Sequence, residues 1–74
     1  MDYKEEVIKR YPKAAELVDC GLITEKAAQI FVIRAEFKDI MPQCESRSQA
    51  IYQLAYKHKK SEESVYNYVR SIVI

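Results

Sequence analysis

The run from Ile51 to Arg70, IYQLAYKHKKSEESVYNYVR, constrains the fold more than any other part of the chain. It reads as two short helices joined by a tight basic turn. Leu54 and Ala55 precede the turn, and Val65, Tyr68 and Val69 follow it at helical spacing. Two helices that cross closely need a small residue at the contact, and Ala55 supplies it. Leu54 adds core area, Val65 gives a stiff apolar contact on the second helix, and Tyr68 or Val69 closes the seal one turn later. The connection His58–Lys59–Lys60–Ser61 is short enough to force the change of direction.

The remainder of the chain also reads as helix. No stretch alternates cleanly between apolar and polar residues, and no hairpin dipeptide occurs. The one glycine and two prolines fall where helices should start or stop. Asp2 caps a first helix from about Tyr3 to Arg10, with Val7 and Ile8 turned inward. Pro12 suits the first turn of a second helix, where its missing N–H would have had no partner. That helix carries Ala14, Ala15, Leu17 and Val18 and stops at Gly21. Thr24 caps a third helix from about Glu25 to Met41, whose apolar positions Ala27, Ile30, Phe31, Phe37, Ile40 and Met41 recur at threes and fours. Pro42 ends it. Ser46 or Ser48 caps a fourth helix ending near His58, and Ser61 caps a fifth running to about Ile72. Glu62 and Glu63 sit in its first turn, where the helix dipole favours negative charge. The expectation is an all-α chain of about five helices in one small domain, residues 1–74, with no room for a second core. Within it, residues 1–21 form a helical pair and residues 24–74 a three-helix core.

Twelve Lys and Arg residues stand against eleven Asp and Glu, so the net charge is near zero. Its distribution is more telling. From Ser46 to Ser61 there is no acidic residue, while Arg47, Lys57, Lys59 and Lys60 are all positive. A charge run of this kind is usually a solvated face. Here it coincides with the turn.

Leu54-Ala55, Ser61 and Val65-Tyr66 follow the pattern Leu-Ala, Ser, Val-Tyr, and on these residues the chain resembles the prokaryotic helix-turn-helix class. Within that class it is similar to Mor-type phage activators and to the C-terminal region of sigma factors. The strict likeness lies in the fourth and fifth helices, and Glu25–Met41 would be the supporting first helix of the three-helix core. Members usually place glycine where Lys59 stands, because the backbone there tends towards positive φ. They usually place an apolar residue where Lys60 stands. A lysine can cover that position with its stem and leave its amine outside.

The resemblance implies a small bacterial or phage transcriptional regulator that docks its fifth helix, residues 61–72, in the major groove of double-stranded DNA. Base contacts would then come from Glu63, Tyr66, Asn67 and Arg70. Asn67 suits an adenine edge, Arg70 a guanine or a phosphate, Tyr66 a thymine methyl or a phosphate, and a glutamate can accept from cytosine. Arg47, Lys57, Lys59, Lys60 and Ser61 would hold phosphates. A unit of this size buries little DNA surface, and a homodimer on a two-fold site is the common remedy. The apolar tail Ile72-Val73-Ile74 would form that dimer contact or fold back on its own core.

The alternative is a protein-binding module of the same shape that does not bind DNA. The near-neutral charge and the acidic start of the fifth helix favour it. Tyr52, Tyr56 and Tyr66 would be its contact set, since tyrosines are enriched in such patches. Otherwise Tyr52 and Tyr56 pack under the N-terminal helices, and His58 is a helix-end residue favoured by the dipole. An enzyme is not expected. The carboxylate pairs Glu5-Glu6 and Glu62-Glu63 are sequence neighbours, the lone histidine has no nucleophile beside it, and one glycine makes no phosphate loop. No cofactor or metal is expected either, because Cys20 and Cys44 are far apart and His58 cannot complete a tetrahedral site with them. They read as reduced thiols. No apolar run approaches membrane-spanning length, and the start MDYKEEVIKRYPK lacks the apolar core of a signal peptide. The expected location is the cytoplasm.

Overall fold

The structure is a computed structural model that describes residues 2–72. Among these residues it is all α, with no strand. Its helices are α1 (Tyr3–Arg10), α2 (Ala15–Asp19), α3 (Glu25–Ile40), α4 (Arg47–His58) and α5 (Glu62–Val69). A 3-10 turn, Pro12–Ala14, precedes α2, and another, Met41–Gln43, follows α3.

The helix starts follow from side-chain caps. Asp2 accepts from the Glu5 N–H at 3.2 Å, Thr24 from Ala27 at 3.1 Å, Ser46 from Gln49 at 3.2 Å and Ser61 from Ser64 at 3.1 Å. Each bond satisfies one of the amide donors that a helix leaves unpaired at its first turn. Ser46, not Ser48, caps α4. The boundaries differ from the sequence reading in three places. Pro12 opens a 3-10 turn instead of an α-helix, since Tyr11 before it makes no side-chain cap. The α-helical part of α3 stops at Ile40, and Pro42 lies inside the 3-10 turn that follows. Helix α5 stops at Val69, three residues early, where arginines from elsewhere in the chain take its last carbonyls.

Two helix ends share one geometry. At the end of α2, Leu22 N–H donates to Leu17 O and Gly21 N–H to Val18 O, with Gly21 at φ 82. At the end of α4, Lys60 N–H donates to Ala55 O at 3.0 Å and Lys59 N–H to Tyr56 O at 3.4 Å, with Lys59 at φ 55 and ψ 44. Both are Schellman closures, which need a left-handed residue just past the helix. Glycine takes that conformation without strain, whereas Lys59 is the one described residue other than glycine with positive φ.

The chain divides into two compact units, Met1–Val32 and Ile33–Ile74, and the boundary falls inside α3 rather than at Gly21. Each unit has its own buried apolar cluster, where the sequence suggested a single core. In the first unit the cluster is Val7, Ile23, Ala28 and Val32, with Tyr3, Ala14, Val18 and Ala27 packed against it. Leu17, expected inside, is exposed, and Ile8 is half-buried. In the second unit the cluster is Ile33, Phe37, Ala50, Ile51, Leu54, Ala55, Val65, Val69 and Ile72. Burying side chains the size of Leu54 or Phe37 stabilises a fold by about 1.5–3 kcal/mol each relative to exposure. Ile72 therefore folds onto the core of its own unit, while Val73 and Ile74 lie outside the described residues.

Helix α3 corrects the sequence reading most. Phe31, placed on its apolar face, is 48% exposed, and Ala27, Ile30 and Ile40 are half-buried. Phe37 is buried as expected, and the other buried residues are Ala28, Val32, Ile33, Ala35 and Glu36. Apolar residues lie all round this helix, so several faces satisfy a three-and-four spacing. Packing, not periodicity, selects among them.

Two stability outcomes follow. Lys59→Gly should raise the unfolding free energy in urea by about 1 kcal/mol, because it removes left-handed strain. A lower value would mean that residue 59 is not left-handed. Ala55 is buried in one cluster with Val65 and Leu54, so Ala55→Leu should overpack it and cost about 1–3 kcal/mol. Unchanged stability would show that the α4–α5 contact is loose.

Candidate nucleic-acid interface

The connection between α4 and α5 is three residues, Lys59 to Ser61, and it places Ala55 and Val65 in one buried cluster. With Val65 and Val69 turned inward, α5 leaves Glu62, Glu63, Tyr66 and Asn67 exposed, and Arg70 just beyond it is exposed too. All four candidate base-contacting residues, Glu63, Tyr66, Asn67 and Arg70, are therefore on the open side of the unit. No described residue forms a hydrogen bond or ion pair with their side chains.

The expected phosphate-holding residues divide. Lys59 and Lys60 are exposed in the turn. The side chain of Lys57 reaches Glu36 instead, with Nζ donating to both carboxylate oxygens at 3.1 and 3.0 Å. Ser61 uses its hydroxyl locally, accepting from Ser64 N–H and donating to Ser64 Oγ at 2.9 Å. Arg47 departs furthest from the phosphate role. Its Nη1 donates to Ile72 O at 2.9 Å and its Nη2 to Val69 O at 3.0 Å, and its guanidinium lies over the Phe37 ring, 5.0 Å from the centroid. The positive charge that made Arg47 a phosphate candidate is directed at the carboxyl end of α5, where the helix dipole is negative.

Sequence reasoning missed two residues on α3, one that holds the end of α5 and one that holds the end of α4. Arg34 Nη1 donates to Tyr68 O at 2.7 Å and to Ser71 Oγ at 3.1 Å. With Arg47, it supplies charged donors to three carbonyls near the end of α5, so the helix ends without further turns of its own. Glu36 is buried, and His58 Nε2 stands 3.0 Å from its Oε2. Its carboxylate thus ties α3 to the last turn of α4, at His58 and Lys57. His58 is accordingly an interior residue and not simply a solvent-facing helix end. The available signal was a carboxylate and a guanidinium, Arg34 and Glu36, interrupting the apolar stretch from Ile30 to Phe37.

The seam between α4 and α5 carries two shallow depressions. One, of about 310 Å³, is lined by Ser48, Ile51, Glu62, Glu63 and Tyr66. The other, of about 390 Å³, is lined by Tyr52, Ala55, Tyr56, Lys60, Ser61 and Glu62. Tyr52 is 61% exposed, Tyr56 82% and Tyr66 53%, so none of the three is packed away. No helix among the described residues is long and apolar enough to cross a membrane. Comparison with family models, with characterised proteins and with solved structures gives no match for this chain.

Arg47→Ala should cost about 1.5–3 kcal/mol in urea unfolding, the range for a hydrogen bond to a charged group. Arg47→Lys should recover only part of it, because an ammonium cannot reproduce the fork across two carbonyls. Equal stability of Arg47→Ala and the parent would remove the arginine from the support of α5.

Proposed function

We propose that the second unit is a helix-turn-helix that binds double-stranded DNA, with α5 in the major groove and the turn residues Lys59 and Lys60 on the backbone. The observation that carries this reading is the left-handed turn at Lys59. It joins α4 to α5 through three residues while Ala55 and Val65 stay buried together. The same arrangement leaves Glu63, Tyr66, Asn67 and Arg70 outward and uncommitted. A small transcriptional regulator of bacterial or phage type, acting in the cytoplasm as a homodimer, is the function this reading implies.

The mechanism separates grip from reading. Lys59 and Lys60 neutralise phosphates, which are alike in every sequence, and the outward face of α5 meets base edges, which are not. Arg47 and Arg34 act from behind, holding α5 at its carboxyl end. Lys57 contributes less to the grip than Lys60, because Glu36 already engages its amine.

A second reading rests on the exposed tyrosines. Tyr52, Tyr56 and Tyr66 border a seam that also holds Glu62 and Glu63, and carboxylates there disfavour phosphate. In that reading the seam receives a protein partner and no DNA is bound.

Retention of the purified chain on non-specific duplex DNA, measured against salt, separates the two. Lys60→Ala should weaken binding to all duplexes alike and reduce the slope of log K against log salt by up to roughly one unit. Lys57→Ala should change the slope less. A parent chain with no duplex affinity even at low salt would overturn the DNA reading. The tyrosine seam would then be the site to test.

A further inference from the structure

The polar side chains of the second unit fall into two groups. Arg34, Arg47, Glu36, Lys57 and His58 are engaged within the unit. Glu63, Asn67 and Arg70 are exposed and make no hydrogen bond or ion pair with a described residue. These three are spaced by four and then three residues, so they stack on one ridge of the helix, away from Val65 and Val69. Arg70 is the C-cap of α5, yet it keeps helical angles of φ −58 and ψ −27 and continues the ridge. Tyr66 and Glu62 lie to the side, and Glu63, at the amino end of the ridge, also borders the depression they line at the α4 seam.

At about 1.5 Å of rise per residue the ridge is about 10 Å long. Base pairs are spaced by about 3.4 Å, so the ridge spans about three steps. Resting on the proposal that α5 enters the major groove, we infer that Glu63, Asn67 and Arg70 read a C·G pair, an A·T pair and a G·C pair in that order. A carboxylate offers acceptors only. Cytosine presents its N4 amine alone in the major groove, whereas adenine sets the N7 acceptor beside its amine, which repels a carboxylate. The Asn67 amide carries both a donor and an acceptor, and these match adenine N7 and N6. The Arg70 guanidinium forks onto guanine O6 and N7. Glu63 is what makes the ridge a reader and not merely an adhesive, because a carboxylate gains nothing from a phosphate.

The test is selection from a random duplex pool with the full chain, as parent and as Glu63→Gln. The parent should enrich a run of three pairs, C·G, A·T and G·C in that order, within a window of about four base pairs. Glutamine carries a donor as well as an acceptor and suits adenine, so Glu63→Gln should switch the first pair from C·G to A·T and leave the other two unchanged. The preference at that position should shift by about five-fold or more, the lower end of what one such pairing discriminates. Glu63 is exposed, and a matching circular dichroism spectrum and urea midpoint would verify that the variant is folded. Salt-dependent duplex affinity without this run, or a Glu63→Gln selection identical to the parent's, would overturn the triplet and leave the DNA reading standing. Absence of salt-dependent affinity for any duplex would overturn both.

Discussion

Two backbone hydrogen bonds at the end of α4, from Lys59 and Lys60 back to Tyr56 and Ala55, set the direction in which the chain departs. They form only if residue 59 is left-handed. Everything beyond them inherits that constraint, since Ser61 must be in place to cap α5 and Val65 must meet Ala55. A lysine at that position carries a backbone cost that glycine would not. The burial of Leu54, Val65 and Val69 far outweighs it, each being worth about 1.5–3 kcal/mol.

The second constraint acts at the other end of the same helix. An eight-residue helix has few internal hydrogen bonds, and alone in water it would be marginal. Here α5 is closed at its amino end by Ser61 and at its carboxyl end by Arg34 and Arg47. Its outward residues are thus carried on a short segment held at both ends and along its buried stripe. The acidic first turn, Glu62 and Glu63, agrees with the helix dipole, so the features that suit folding and those proposed for reading do not conflict.

Much of this was legible in the sequence because it is local. A cap bonds to an amide three residues away, so Asp2, Thr24 and Ser61 could be placed from neighbours alone, and the cap of α4 could be narrowed to Ser46 or Ser48. Gly21 marked a helix end for the same reason. The buried stripe of α4 and the exposure of the α5 residues followed from spacing around Ala55 and Val65. What escaped notice is non-local. Arg34 and Arg47 bind backbone carbonyls, which every residue possesses, so no side-chain type marks the partner. Glu36 pairs with Lys57 and His58 across twenty-one and twenty-two residues of chain. The inner face of α3 was hidden for the opposite reason, since Ala28, Phe31, Val32 and Ile33 offer more apolar surface than one face can use.

The arginine mounting of α5 bears on how salt acts on this unit. Mobile ions weaken charges that face solvent, over about 10 Å at 0.1 M, and act much less on groups that are partly buried. The donors of Arg47 to Val69 and Ile72, and the bond from Arg34 to Tyr68, are partly buried and end on neutral carbonyls. Lys59, Lys60 and Arg70 face solvent. Raising ionic strength should therefore screen the outer charges more than the donors that hold α5. Release of the proposed DNA by salt and loss of the fold would then be separable events.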